Sequence, residues 1–354
     1  MRRSTIREVA LRAGVSHQTV SRVINNSPDV ADATRELVLR AITELDYHPN
    51  AQAVGLSRNR SDIVGVVVDT VTEPFFAHIL DAVLRALRSR GRLALLATVD
   101  STSQLDAIDA LQNNRRIDGL VIILPLASSL EWVRRTVYRV PTVHVDLQYD
   151  LDVHGISVNN CQGAYIATEH LISLGHHRIG IITGRRDIPV GPMRLAGYRA
   201  ALESHGLPFD ESLVAAGDFS FDSGRRCTEQ LLALENPPTA IFACDDQMAF
   251  GVINTLRGRG LRVPDDISVI GFDDTVDAAR YSPPLTTIRQ PLHKMGELAG
   301  EYVCRLIDGL PVGQRRITLD TELVVRETTG PARRAEDYEP ETGPSLQVGS
   351  SLRA

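Results

Sequence analysis

The sequence predicts an all-α helix-turn-helix headpiece at the N-terminus, followed by an α/β core of two doubly wound parallel-sheet lobes. Three observations carry this. Residues 5–45 place apolar side chains at helical spacing, interrupted twice by turn chemistry. From Ile63 onward, short runs rich in Val, Ile and Leu alternate with amphipathic segments, the texture of parallel strands covered on both faces. That alternation occurs as two series with no sequence repeat between them, which predicts two similar lobes with a cleft between. At 354 residues the chain is long enough for two or three compact units.

The headpiece is justified residue by residue. Thr5 and Glu8 have capping-box spacing, so a first helix begins at Thr5. Val9, Ala10 and Ala13 give it a small apolar face. Gly14 supplies the left-handed position that ends a helix and turns the chain. Ser16 is a suitable N-cap for a second helix, whose Val20, Val23 and Ile24 face inward. His17, Gln18, Ser21, Arg22 and Asn25 are left on the outer face. A row of donors and acceptors at the start of the second helix is what a DNA major groove requires; an ordinary surface hairpin is the alternative. A third helix over Thr34–Leu45 closes the small core, and Tyr47-His48-Pro49-Asn50 breaks it. Residues 50–57 read as a short helix, ending in the polar linker Ser57-Arg58-Asn59-Arg60-Ser61.

In the core, strand-like runs lie at Ile63–Val68, Leu93–Val99, Leu120–Leu124 and Thr142–Val145, with helices from about Phe75, Thr102 and Ser128. The second series has strands at Ile179–Thr183, Ala240–Ala243 and Ser268–Gly271. Its helices lie near Ala164–Leu174, Met193–Ser204, Phe221–Leu234 and Gln247–Arg259. After about Gly330 the chain is rich in Pro, Glu, Gly and Ser, and residues 331–354 read as a disordered tail. That tail lacks a leucine heptad, so no tetramerising coiled coil is expected.

Composition narrows the function. The charged fraction of 23% and hydrophobic fraction of 43% are those of a soluble globular protein. No apolar run reaches the length of a membrane span. Arg2 and Arg3 precede a polar helix and no apolar signal region, so a cytoplasmic protein is expected. Cys161, Cys227, Cys244 and Cys304 are widely spaced without a C-x-x-C pair, which reads as buried free thiols. The net charge is −6, but it is unevenly divided. Residues 1–60 hold nine arginines against six acids, a balance of +3. The remainder holds 29 basic against 38 acidic residues, a balance of −9. A positive end can approach phosphate while an acidic body stays off it.

The chain resembles the lactose/galactose repressor family of bacterial transcription regulators. The resemblance rests on the headpiece, on Asn50, Ala53 and Leu56 in the hinge, and on core motifs in one order. Those motifs are Gly65–Phe76, Gly175-His176, Arg194-Leu195-Ala196-Gly197, Cys244–Ala249, Gly271-Phe272-Asp273-Asp274 and Pro284–Gln290; together they cover about residues 4–330. It implies a headpiece at 1–48, a hinge helix and linker at 49–61 and a periplasmic-binding-protein-like core at 62–330. In that core, an N-lobe takes about 62–160 plus 291–321 and a C-lobe about 161–290 plus 322–330. The chain would cross between lobes near residues 160, 290 and 322.

For DNA, the resemblance places His17 and Gln18 against base edges with Arg22 beside them. Gln pairs bidentately with adenine and Arg with guanine. Ser16, Thr19, Ser21 and Asn25 would position the helix on phosphates, although Ser16 reads readily as a plain cap, and Thr5 is also counted among the DNA-binding residues. Asn50, Ala53 and Leu56 would belong to the hinge, with Leu56 wedged into the minor groove at the operator centre. Packing between paired hinge helices is the alternative for Leu56. Gly55, beside it, costs about 1 kcal/mol against alanine in a helix, so this hinge is expected to be less helical off DNA.

For a small ligand, the cleft should be lined by loops at the carboxyl ends of the strands. Asp146, Asp245 and Asp273 each follow a separate strand, although any one alone would read as a helix cap. By resemblance Arg194 is the effector-binding arginine, Gln290 a hinge-side cleft residue, and Phe75, Phe76 and Phe219 apolar contacts. Planar Asp and Arg groups match neighbouring sugar hydroxyls, and an aromatic face covers a pyranose. The expected effector is therefore a neutral carbohydrate. Three acids against one arginine leave a cationic or nucleoside-like ligand open. No dinucleotide fingerprint, P-loop, nucleophile elbow or H-E-x-x-H is present, so no enzyme activity, cofactor or metal site is expected. A sugar-binding protein of the same fold would not explain residues 4–60. The reading is a homodimeric, effector-responsive repressor on a pseudo-palindromic operator, in which the protein two-fold is mirrored in the DNA.

Overall fold

The computed structural model describes residues 4–25, 27–47, 60–98, 109–110, 112, 116–123, 138–149 and 151–332. The headpiece is three helices, α1 (Ile6–Ala13), α2 (His17–Ile24) and α3 (Asp32–Glu44). Thr5 and Glu8 form both halves of the capping box of α1, and Gly14 ends it at φ 69°. Ser16 caps α2 by accepting from the Thr19 amide at 3.1 Å. Val9, Val20 and Val38, one from each helix, are fully buried against one another.

The first lobe is built from β1 (Ile63–Val68), α4 (Pro74–Ser89), β2 (Leu93–Thr98), β3 (Gly119–Ile123), β4 (Thr142–Val145) and β5 (His154–Val158). The second contains α5 (Asn160–Ser173), β6 (Ile179–Thr183), α6 (Val190–Ser204), β7 (Val214–Ala216), α7 (Phe221–Leu232), β8 (Ala240–Ala243), α8 (Asp246–Gly258), β9 (Ser268–Asp273) and β10 (Thr286–Arg289). The chain then returns: α9 (Leu292–Ile307) packs on the first lobe, β11 (Arg316–Leu319) pairs with β5, and β12 (Glu322–Val324) pairs with β10. The first sheet has the order β11-β5-β4-β3-β1-β2 and is parallel throughout. The second has the order β12-β10-β9-β8-β6-β7, with only β12 antiparallel. Inner strands are buried along their length, as parallel strands covered on both faces must be.

The main differences from the sequence reading lie at edges and starts. The strands β5, β7, β10, β11 and β12 leave no clear mark in the sequence, being either interrupted by polar residues or only three residues long. Helix α9 escapes the periodic pattern partly because Gly296 and Gly300 interrupt it with poor helix formers. Tertiary contact explains both glycines. A Cβ on Gly296 would lie 2.3 Å from the Ile79 carbonyl oxygen, and one on Gly300 2.6 Å from Ala86 Cβ. Bare backbone there lets α9 lie directly against α4. Helix α6 starts at Val190, so Arg194 stands in its second turn and does not open it. Cys227, Cys244 and Cys304 are buried free thiols, whereas Cys161 is only half-buried. The helix expected from Ser128 and most of that from Thr102 lie outside the described residues, as do Asn50, Ala53, Gly55 and Leu56.

Candidate DNA-reading face and effector cleft

On α2 the apolar side turns inward and leaves His17, Gln18 and Arg22 exposed on the other. Ser16 and Thr19 are joined by their hydroxyls at 2.9 Å. Asn25 Nδ2 donates to Ser21 Oγ at 3.4 Å. The exposed residues are thus those expected to meet base edges. Ser16, Thr19 and Thr5 are engaged in holding the two helix starts.

Between the lobes lies a small cavity lined by residues of both lobes. Phe75 and Phe76 enter from the start of α4, and Asp146 from the end of β4. Arg194 comes from α6, Phe219 from the β7–α7 loop, Asp245 from the N-cap of α8 and Asp273 from the end of β9. The carboxylates stand at strand ends because a parallel sheet directs its carboxyl-terminal loops to one edge. Gln290 does not line the cavity; it supports Asp273 from behind through an Nε2–Oδ1 hydrogen bond of 2.6 Å. Phe76 serves two surfaces, being 6% exposed in the core of the first lobe and also facing the cavity.

Arg194 is 3% exposed and its guanidinium is fixed on every side. Its Nε donates to Asn160 Oδ1 at 2.8 Å, one terminal nitrogen donates to the Cys244 carbonyl, and the other lies 3.7 Å from Asp273. The Phe272 ring lies 3.7 Å beneath it, a cation–π contact. Opposite this one cation stand Asp146, Asp245, Asp273 and Glu73. Burial pushes the Asp146 carboxyl up to about 6, against the pull of its Gln148 hydrogen bond and of Arg194. Burial and then the neighbouring Asp273 raise Asp245 well above the usual range. Asp273 is raised by burial too, with Arg194 opposing. The cavity is therefore lined by carboxyl groups that accept hydrogen bonds and, where burial keeps the proton on, donate one as well, which suits hydroxyl groups on a ligand.

Backbone strain gathers at the same place. Among the described residues, six non-glycine residues have positive φ; four of them are Asp146, Phe219, Asp273 and Asp274. For a bulky aromatic such as Phe219, at φ 71°, this is a genuine outlier. Such conformations persist where the surroundings impose them, and they cluster at ligand sites. Here the ring of Phe219 occupies the space that a side chain on Gly184 would need: a Cβ there would lie 1.8 Å from it.

Residues 5–50 match the bacterial regulatory proteins of the lacI family, and residues 168–329 match the periplasmic binding protein-like domain. The chain is 37% identical over 340 residues to the HTH-type transcriptional regulator CelR of Thermobifida fusca, covering 92% of this chain and 98% of that one. It is 34% identical to the HTH-type transcriptional repressor CytR of Escherichia coli, covering 92% and 96%. This chain belongs to the lacI family. The regulator superposes on a lac repressor dimer bound to operator and the anti-inducer ONPF with a TM-score of 0.85 at 33% identity, covering 93% of this chain and 100% of that one. With a CelR–cellobiose complex the TM-score is 0.71 at 37% identity, over 92% and 100%. The regulator is thus a DNA-binding transcription factor with a helix-turn-helix headpiece and two α/β lobes. No helix among its described residues is long and apolar enough to cross a membrane.

Sequence reasoning passed over Glu73, Ile188 and Val190, which also line the cavity. It also missed Asn160, the fully buried partner of Arg194. Glu73 had a local signal, two residues before Phe75 as the N-cap of α4. Asn160 had none: only the lobe-to-lobe crossover brings it to Arg194.

Proposed function

We propose that the regulator is a homodimeric repressor that leaves a pseudo-palindromic operator when a small neutral carbohydrate occupies the cleft. The observation that carries this is the cavity itself: carboxylates from three strand ends and one fixed guanidinium beside two exposed-edge aromatics, Phe75 and Phe219. Acceptors in a ring suit vicinal hydroxyls, and an aromatic face suits the apolar side of a pyranose. Asp146, Arg194, Asp245 and Asp273 hold the hydroxyls, and Gln290 orients Asp273. Phe75, Phe76 and Phe219 cover the apolar faces. His17, Gln18 and Arg22 read bases, while Thr5, Ser16, Thr19, Ser21 and Asn25 set the helix on phosphates. Asn50, Ala53 and Leu56 form the hinge contact with the minor groove. Leu93, Leu95 and Leu96, exposed on edge strand β2, support self-association in the first lobe. The protein acts in the cytoplasm and performs no turnover.

The test is a thermal-shift titration against mono- and disaccharides including cellobiose, sugar phosphates, nucleosides and amines. A ligand that binds only the folded state raises the melting temperature. A saturable shift with one neutral sugar, abolished by Arg194→Ala or Asp273→Ala, is the expected result. The excess of four carboxylates over one guanidinium favours, as a second reading, a nucleoside-like or cationic ligand; a shift with those alone would establish it and leave DNA binding untouched.

A further inference from the structure

The core meets the DNA-binding end of the chain at a compact polar junction. Arg60 belongs to the polar linker that ends the span read as hinge helix and linker, residues 49–61. Its guanidinium donates to Asp308 Oδ1 at 3.2 Å and to the Ile307 carbonyl at 3.3 Å, so it grips the C-terminal end of α9. The next two residues are held equally firmly. Asp118 accepts from the Ser61 amide at 2.8 Å, the Ser61 hydroxyl at 2.9 Å and the Asp62 amide at 2.7 Å. Beneath them Arg92, only 7% exposed, donates to the same Asp308 oxygen at 2.7 Å. Asp308 therefore sits between an exposed arginine of the linker and a buried arginine of the core.

The other end of α9 is at the cleft. The helix begins directly after Gln290 and Pro291, and Gln290 donates to Asp273 on the cavity wall. Sixteen helical residues span about 24 Å, and Gly296 and Gly300 seat the helix on α4 against the Ile79 carbonyl and the small Ala82 and Ala86 side chains. One continuous, tightly packed element thus runs from the cleft to Arg60.

Polar pairing is incomplete at both ends of this path. Among the described residues, five buried side-chain polar atoms have no hydrogen-bond partner within the protein: Asn160 Nδ2, Gln290 Oε1, Thr321 Oγ1, Arg92 NH1 and His154 Nδ1. The first three lie one at each crossing between the two sheets, and Arg92 belongs to the junction at Asp308. Gln290 and Arg92 thus stand at the two ends of α9, one at the cleft crossover and one at the junction with Asp308.

We propose that Asp308 is a positioning residue for operator binding: through Arg60 it ties the linker to the end of α9, so that displacement of the Gln290 crossover reaches the DNA-binding segment. This rests on the reading of residues 49–61 as the hinge. An exposed ion pair is individually weak, so its function is to fix a direction of coupling and not to add stability.

The test uses the full chain and an operator duplex selected from random-sequence DNA by the wild-type protein. Arg60→Gln and Asp308→Asn are each expected to weaken operator binding two- to five-fold, and the double variant no further. Gln290→Ala is expected to change operator affinity in the wild-type background, and that change should disappear in Arg60→Gln. Additive single effects would overturn the proposal, as would an equal Gln290→Ala effect in both backgrounds or none in either. A direct phosphate contact by Arg60 would instead lower the slope of log affinity against log salt by about 1, with Asp308→Asn silent, and that outcome also refutes it. Arg60 is exposed and outside both lobe cores, so its variant keeps the test valid if Asp308→Asn loosens Arg92. Failure of the wild type to select any pseudo-palindrome would count against the operator reading, separately from the coupling.

Discussion

At the scale of single residues, the cleft trades stability for chemistry. Asp146 shows the sign of that trade. Burial lifts its carboxyl from an ordinary 3.8 to about 6. A folded-state value above the unfolded one favours folding fully below about pH 3.8, and that advantage is lost as pH rises through about 6. Asp146→Asn should therefore stabilise the ligand-free protein above pH 6, by on the order of 1–3 kcal/mol, with the gain fading toward pH 4. Melting curves at pH 4, 5.5 and 7 read this out; an equal gain at all three would mean that ionisation is not the cause. Gly184 gives a second residue-scale prediction. Gly184→Ala pushes a methyl group into the Phe219 ring, an overpacking worth about 1–3 kcal/mol. It should cut ligand affinity in the cleft while leaving operator binding intact. Equal losses in both assays would show a general defect of folding.

At the scale of elements, the headpiece depends on its caps because its core is small. Thr5 and Ser16 each hold the start of one short helix. Each alanine substitution should lower headpiece stability by about 1 kcal/mol, measured by hydrogen exchange of α1 and α2 amides. The two functions of α2 separate in binding. Ser16→Ala should weaken all DNA sequences alike, whereas Gln18→Ala should relax preference at one base pair, as competition with single-base operator variants will read. These elements were legible in the sequence because a cap and its helix lie within four residues of one another. Helix α9 was not, because the reason for Gly296 and Gly300 is the surface of α4, more than 200 positions earlier in the chain.

At the scale of the whole molecule, the cleft and the headpiece are coupled by linkage. If a sugar lowers operator affinity by some factor, operator must lower sugar affinity by the same factor. Calorimetric titration of the sugar identified by thermal shift, with and without operator duplex, should give matched factors; equal affinities in the two titrations would exclude the release mechanism. The molecule is built for such coupling. Two separately packed lobes meet along three crossing segments, and Gln290, on one of them, donates to Asp273 on the cavity wall.

The sequence by itself determined the three-helix headpiece, the parallel texture of both sheets and the strand-end positions of Asp146, Asp245 and Asp273. Each of these follows from capping, periodicity and turn chemistry among neighbours in the chain. Only the tertiary structure decided which carboxylates share a cavity, that Arg194 is held by Asn160 and that Phe219 is strained against Gly184. It alone joined Asp308 to Arg60. Those relations depend on distance in space between residues far apart in the chain, on burial that shifts acidity, and on close backbone approach, none of which leaves a local mark in the order of residues.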